Sequence, residues 1–173
     1  MNKPKDNFSI NEGYELMTSF IKAIFPEGAD KIEAVEIANS YCPGDYDLSI
    51  DGKKFAGIAQ RKIKEAVVVS IYIRIFGDQQ KRANIMKDFY EIGIDDQEVR
   101  YKYPKVDPEC METLENLLNK KFTLEDVFER VEKVLYGLDC DLEKGEYTEA
   151  MVEEYNAIFE QAKERNESYL EGK

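Results

Sequence analysis

The 173-residue sequence contains no histidine, and this absence excludes two common kinds of site. A chain without histidine has neither a Cys–His dyad for nucleophilic catalysis nor a histidine-ligated zinc ion. Its cysteines, Cys42, Cys110 and Cys140, are odd in number and lack the spacing of metal ligands. We therefore expect no metal site and a reducing, cytoplasmic environment in which these thiols stay free.

Long apolar runs and an excess of positive charge are also missing. No stretch approaches the roughly 20 apolar residues of a membrane span, and the polar residues 1–7 lack the apolar run of a signal peptide. The net charge of −12 makes a nucleic-acid partner implausible, since binding a polyanion uses clustered Lys and Arg. The length and the 43% of hydrophobic residues fit one globular domain with a sizeable core.

The apolar pattern predicts an α+β fold, with a small mixed or antiparallel sheet, packed helices and a helical C-terminal portion. Ser9-Ile10-Asn11-Glu12 fits a capping box and predicts a first helix that ends near Phe25. Asp51-Gly52 predicts a tight β-hairpin. Residues 67–76 are almost continuously apolar, which indicates a central strand covered on both faces. Further strands are predicted at residues 32–38, 46–50 and 53–62, and further helices at residues 78–90, 109–118, 123–138 and 148–170.

We divide the chain into a sheet-containing part, residues 1–103, and a helical C-terminal part, residues 104–173. The last helix is predicted to bury one apolar face, formed by Met151, Val152, Tyr155, Ile158 and Phe159. A sheet of three or four strands leaves an edge that is normally paired or covered. We expect a second copy of the chain, or a segment that precedes it in a longer protein, to complete the sheet.

Cys42 is the main candidate for a nucleophile. It lies on a Pro43-Gly44 loop just before a strand, so its thiol belongs to a loop rather than to a core face. A thiol with an ordinary pKa of roughly 8.5 needs a nearby cation or base to react near neutral pH. Cys110 and Cys140 have acidic neighbours that oppose thiolate formation, so we expect both to be inert.

Lys54 is the basic residue that lies just across the hairpin from Cys42. By strand alternation it shares a face with Ala56 and Ile58, where a lysine without a function would be badly placed. Lys53 points to the opposite face and is expected to be solvated. A thiol beside an amine is the outline of an acyl-transfer site.

Two further features flank these residues. Gly57 permits the close approach of a ligand or of backbone within its strand, although a β-bulge explains it equally well. Asp45 and Asp47 follow the cysteine and offer cation ligands, but a solvated turn is the simpler interpretation.

The segments around both residues resemble a known family. Residues 40–50 read SYCPGDYDLSI and residues 52–61 read GKKFAGIAQR. They are similar to the lipoate/octanoyl transferase branch of the biotin/lipoate protein ligase superfamily, whose fold is related to that of class II synthetases. The similarity continues through residues 88–93 into the C-terminal helices. The short Gly-x-Lys-x-x-Gly pattern is shared by the whole superfamily and separates its members poorly.

The resemblance implies an acyltransferase in which Cys42 accepts the acyl group and Lys54 contacts the acyl carbonyl and assists proton transfer. It further implies substrate contacts at Gly57, Ala59 and Gln60. An octanoyl or lipoyl group would pass from the glycine cleavage H protein, through a Cys42 thioester, to lipoyl domains of 2-oxoacid dehydrogenases. The acyl group would be covalent cargo, with no cofactor, ATP or metal.

Two departures from the family pattern shape this interpretation. Members carry an upstream segment with a basic, glycine-rich strand that lines the acyl tunnel, and this sequence has no counterpart. Glu65-Ala66 replaces a usual glycine pair. We therefore expect the C-terminal portion of a catalytic domain, inactive without the upstream part. Two alternatives stay open. One is a fragment of an ATP-dependent lipoate–protein ligase that uses Lys54 for adenylate formation, and the other is a non-catalytic remnant that binds a partner.

Overall fold

The fold has two compact units, Met1–Leu138 and Asp139–Lys173. The structure, a computed structural model, describes residues 8–63, 66–95, 98, 100, 102–138 and 142–170. The first unit carries a small antiparallel sheet with helices, which confirms the predicted α+β class. Cys140 lies outside the described residues. None of the helices in the described ranges is long and apolar enough to cross a membrane.

The helices are α1 (Ile10–Ile24), α2 (Gln79–Ile94), α3 (Leu114–Leu118), α4 (Leu124–Gly137) and α5 (Glu149–Leu170). The starts of α1, α2, α4 and α5 lie within one residue of the predicted starts. At α1 the Ser9 hydroxyl accepts from the Glu12 amide at 3.2 Å, and the Glu12 carboxylate accepts from the Ser9 amide at 2.6 Å. Thr123 and Asp126 form the same reciprocal pair at α4. The capping box predicted at Ser9 is therefore confirmed.

The strands form one antiparallel sheet in the order β1 (Glu33–Ala34), β2 (Leu48–Ile50), β3 (Lys53–Ile63) and β4 (Ala66–Ile73). The prediction of a central strand at residues 67–76 was wrong, because β4 is an edge of the described sheet. Val68 and Tyr72 on this strand are 62% and 56% exposed. A run of apolar residues does not by itself separate a covered strand from an open edge. The partner that would complete this edge stays a prediction.

The β2–β3 hairpin is irregular in a way that affects the site. Asp51 and Gly52 have φ of 51° and 74°, as the predicted type I′ turn requires. Ser49 pairs with Lys54, but Leu48 pairs with Ala56, so Phe55 is an extra residue on β3. This β-bulge interrupts the alternation by which Lys54 was predicted to share a face with Ala56 and Ile58.

The core of the first unit lies between α1, the sheet, α3 and the start of α4. Its buried apolar side chains are Ile21, Ile24, Phe25, Ile32, Leu48, Ile50, Phe55, Ala56, Leu114 and Phe122. Phe25 and Phe122 meet edge to face with ring centroids 5.6 Å apart. Each large side chain buried in this way contributes about 1.5–3 kcal/mol to stability. This packing fixes the hairpin on which the candidate site is built.

An ion-pair cluster ties the loop after α1 to α4. The Glu27 carboxylate accepts from Lys120 Nζ at 2.6 Å and from Arg130 Nη1 at 2.9 Å. Burial by itself raises the pKa of Glu27, but the hydrogen bonds from Arg130 and Lys120 outweigh it and lower the pKa from 4.5 to about 2. Glu27 is therefore ionised across the neutral and mildly acidic range.

Two helix predictions need correction. Residues 109–118 form a 3₁₀ turn, Pro108–Cys110, and the short α3, because Met111 and Thr113 adopt extended backbone and Thr113 starts a new cap. The apolar face of α5 is exposed rather than buried, because α5 is the only helix or strand in the described part of its own unit, residues 142–170. Its exposed residues are Met151, Val152, Tyr155, Ile158 and Phe159. The division at residue 103 stays a prediction, although α3 and α4 belong to the first unit.

Candidate active site

Lys54 is the centre of a buried polar cluster at the start of β3. Its Nζ lies 2.7 Å from Asp47 Oδ1, and both side chains are only 3% exposed. The same ammonium donates to the backbone carbonyl of Cys42 at 2.8 Å and to Ser40 Oγ at 3.1 Å. A buried lysine needs such partners, because desolvation of an isolated charge is very costly.

Asp47 joins this lysine to the cysteine loop. Its second oxygen, Oδ2, accepts from the Gly44 amide at 3.2 Å and from the Ile37 amide at 3.3 Å. The solvated-turn interpretation of Asp47 was therefore wrong, whereas Asp45 is exposed. The carboxylate thus contacts the lysine and two backbone amides, one before Cys42 and one after it.

Cys42 presents an exposed thiol from a strained backbone. Its φ is 51°, in the left-handed region that non-glycine residues seldom adopt. Such strain is typical of functional sites and persists only where surrounding contacts impose it. Here the Cys42 carbonyl is held by Lys54, and the following Gly44 amide is held by Asp47. The structure thus brings Cys42 and Lys54 together, while their catalytic roles stay predictions.

Gly57 lies against the same cluster, whereas the other two predicted substrate contacts do not. A Cβ atom added to Gly57 would sit 3.7 Å from Lys54 Cε and 4.0 Å from Asp47 Oδ1. Gln60 instead donates its side-chain amide to the Ile10 carbonyl at the start of α1, and Ala59 is exposed. A side chain at Gly57 would therefore be in van der Waals contact with Lys54 and Asp47.

The far side of the cysteine loop is anchored by an arginine that sequence reasoning missed. Arg74 is 2% exposed, and its Nε donates to the Tyr41 hydroxyl at 2.8 Å. Its guanidinium carbon also lies 4.5 Å from the centre of the Tyr41 ring, within cation–π range. The adjacent residues Tyr41 and Cys42 are therefore each held by a buried cation, Tyr41 by Arg74 and Cys42 by Lys54.

Ser40 and Asp47 were also missed, although one signal pointed to Asp47. It lies two residues before Ser49, the cross-strand partner of Lys54, and diagonal neighbours across a hairpin are within reach of long side chains. An acidic residue at that position is a natural counter-ion for a lysine on the return strand. Ser40 carries no comparable signal, because a loop brings it to the lysine.

Cys110 differs from Cys42 in its surroundings. Burial raises the pKa of the Cys110 thiol, the Asp107 carboxylate raises it further, and Lys54 and Arg74 only partly oppose this. The direction agrees with the predicted inertness, although burial and Asp107 cause it rather than the neighbouring glutamates. Within the described residues, no group of three or more Cys, Asp or Glu side chains could hold a metal ion.

Comparison with known proteins places this cluster in a family. Residues 1–136 match the lipoyl protein ligase A/B catalytic domain. The chain belongs to this family. It is 40% identical to an octanoyl-[GcvH]:protein N-octanoyltransferase of Lysinibacillus sphaericus, over 99% of the chain and 62% of that protein. A protein of the same name from Macrococcus caseolyticus is 42% identical over 92% of the chain and 58% of its own length.

A third relative differs in the acyl group that its name specifies. A lipoyl-[GcvH]:protein N-lipoyltransferase of Listeria monocytogenes is 40% identical over 94% of the chain and 58% of its own length. The chain thus spans 58–62% of the length of these three curated relatives. The predicted family is confirmed, and both octanoyl and lipoyl transferases occur among the relatives of this domain.

Proposed function

We propose that this chain carries the thioester chemistry of an octanoyl or lipoyl amidotransferase, with Cys42 as nucleophile. The observation that carries the proposal is the contact of 2.8 Å between Lys54 Nζ and the backbone carbonyl of Cys42, a residue whose thiol is free and exposed. A cation fixed next to a loop cysteine is the arrangement that activates thiols. The names of the relatives support an acyl group delivered as an amide of a carrier protein.

The first step acylates the enzyme. The Cys42 thiolate attacks the carbonyl carbon of the acyl-lysine amide on the donor protein, and a carbon–sulfur bond forms. The tetrahedral intermediate then collapses, the carbon–nitrogen bond breaks, and the leaving lysine nitrogen takes a proton from the Lys54 ammonium. The products are an acyl thioester on Cys42, a free donor amine and a neutral Lys54. Covalent catalysis thereby divides one difficult amide exchange into two easier reactions.

The second step returns the enzyme to its starting state. The neutral amine of an acceptor lysine attacks the thioester carbonyl, and its surplus proton passes to the Lys54 amine. The carbon–sulfur bond breaks, and its electron pair returns to Cys42 as thiolate. One amide has been exchanged for another, so the balance of bonds needs no ATP and no metal ion. We expect the acyl carbonyl to approach Lys54 from the side of Gly57, which carries no side chain.

We assign the glycine cleavage H protein as donor and the lipoyl domains of 2-oxoacid dehydrogenases as acceptors. The donor follows from the names of the relatives, and the acceptors follow from the chemistry, since they present the lysine that is acylated. We place the reaction in the cytoplasm, because a nucleophilic thiol has to remain reduced. Cys42 and Cys110 are both free thiols, as this requires.

Intact-protein mass spectrometry tests the proposal. The chain, by itself and with the upstream segment of a relative added, is incubated with octanoylated or lipoylated H protein, and an increase equal to one acyl group is expected. Cys42→Ala should abolish this adduct, and the matched variant Cys110→Ala should keep it. Addition of an apo lipoyl domain should then discharge the adduct and acylate the domain.

Three outcomes would contradict the proposal. An acyl adduct on Cys42→Ala would exclude this residue as the nucleophile. Product that forms from free lipoate only when ATP is present, and at an unchanged rate in Cys42→Ala, would indicate a ligase. A stable complex with the carrier protein and no adduct on the chain would indicate a binding protein.

A further inference from the structure

All three N–H donors of the Lys54 ammonium have an acceptor in this structure. An ammonium carries three N–H donors, and Lys54 has three acceptors within hydrogen-bond distance. They are Asp47 Oδ1 at 2.7 Å, the Cys42 carbonyl at 2.8 Å and Ser40 Oγ at 3.1 Å. A substrate atom can therefore accept a hydrogen bond from this ammonium only if it replaces one of the three acceptors.

The three contacts differ in strength. The bond to Asp47 joins two opposite charges from which water is excluded, and charge-assisted bonds of this kind are shorter and roughly twice as strong as neutral ones. The Cys42 carbonyl and the Ser40 hydroxyl are neutral acceptors. They are the partners that a substrate carbonyl oxygen or leaving nitrogen can replace at low cost.

The Asp47 residue is itself held in place by several hydrogen bonds. Its Oδ2 accepts from the Gly44 and Ile37 amides, and its own amide donates to the Gly44 carbonyl at 3.1 Å. Its carbonyl accepts from the Val35 amide at 3.0 Å, which continues the pairing of β1 with β2. The carboxylate is thus fixed to the sheet and to the cysteine loop at the same time.

We propose that Asp47 is a positioning residue that holds Lys54 Nζ beside Cys42 while the Ser40 and Cys42 contacts are exchanged for substrate atoms. This inference rests on the acyl transfer proposed above. Asp47 acts on the reaction through the Lys54 ammonium, and its bonds to the Gly44 and Ile37 amides keep the carboxylate in place. Its contribution is the alignment of the proton donor with the nucleophile, and a displacement of about 1 Å at such a group costs on the order of 100-fold in rate.

The test compares Asp47→Asn with Asp45→Asn, an exposed aspartate of the same loop. Asp47→Asn keeps the size and an acceptor oxygen but removes the charge. We expect the rate constant for acylation of Cys42 to fall about 100-fold, with the KM for the acyl-carrier protein unchanged. Asp45→Asn should match the wild type. If Asp47→Asn does not fold, Asp47→Glu, which keeps the charge but displaces it, is expected to show a smaller loss of the same kind.

Two measurements separate positioning from a structural role. In a Lys54→Gln background, Asp47→Asn should cause no further loss of rate, because its effect passes through Lys54. The nitrogen NMR signal of the Lys54 ammonium, assigned by its loss in Lys54→Gln, should be retained in Asp45→Asn and lost or shifted in Asp47→Asn.

The outcomes distinguish this inference from the function on which it rests. The positioning role would be refuted if the wild type is active and Asp47→Asn acylates Cys42 as fast as Asp45→Asn. It would also be refuted if Asp47→Asn lowers the acylation rate by the same factor with Lys54 as in the Lys54→Gln background. A wild type that forms no adduct while its Lys54 signal still depends on Asp47 would refute acyl transfer itself.

Discussion

Removal of the Lys54 ammonium should destabilise the protein far more than removal of its neighbour. At the observed 2.7 Å and an effective dielectric constant of about 20, the Coulomb attraction between Lys54 and Asp47 is about 6 kcal/mol. Desolvation of the two buried ions offsets most of this attraction. Lys54→Met loses the attraction but leaves the Asp47 carboxylate buried, so we expect a loss of about 3–5 kcal/mol in the free energy of unfolding.

Urea denaturation at pH 7, followed by circular dichroism, measures this loss. The matched control is Lys53→Met, the preceding residue of β3, which is only half-buried and should change stability by no more than about 0.5 kcal/mol. The double variant Asp47→Leu/Lys54→Met should recover much of the loss, since it removes both charges together. A cost below about 1 kcal/mol for Lys54→Met would refute the claim that this pair is buried and coupled.

Three further predictions concern single positions. Cys42→Gly should be about 1 kcal/mol more stable to urea than Cys42→Ala, because glycine adopts a φ of 51° without strain, and equal stabilities would contradict that strain. Glu27→Gln should cost about 1–2 kcal/mol at pH 7, because solvent screens this exposed residue, and less than half of that at pH 3. The Glu27 carboxyl has a pKa of about 2 in the folded protein, below its ordinary pKa of 4.5. Its contribution to stability is therefore complete above pH 4.5 and is lost as the pH falls toward 2. An equal cost of the substitution at both pH values would contradict this. Gly57→Leu should slow acylation of Cys42, because the larger side chain crowds Lys54. Gly57→Ala should not, since its Cβ atom would lie at an ordinary contact distance of 3.7 Å from Lys54 Cε. Equal acylation rates for the two variants in the mass assay would exclude crowding at this position.

The sequence was sufficient for the parts of the site that depend on neighbouring residues. The Asp51-Gly52 turn demands a hairpin by its backbone geometry alone, and the hairpin places Lys54 close to the segment that carries Cys42. The role of Asp47 was not accessible in the same way. An aspartate is a good turn residue and a good counter-ion, and only the burial of its side chain separates the two interpretations.

The fold was predictable where local signals decide it and not where packing does. Capping boxes fixed the starts of α1 and α4, because the bonds involved lie within four residues. The apolar residues of β4 and α5 predicted the right kind of element, a strand and a helix, but the wrong degree of burial. Periodicity reports which face a segment would bury, and the presence of a neighbour that covers the face depends on contacts distant in the sequence.

The extra residue at Phe55 has a consequence for protein engineering. Transplanting Lys54 and Gly57 onto a regular hairpin would not reproduce their geometry, even with an identical turn and an identical Gly-Lys-Lys motif. In a regular ladder these two residues would lie on opposite faces of the strand, and the surplus residue that follows from the pairing of Leu48 with Ala56 brings Gly57 to the side of Lys54. The recipient scaffold must therefore accept one surplus residue on its return strand, or the glycine will face away from the lysine.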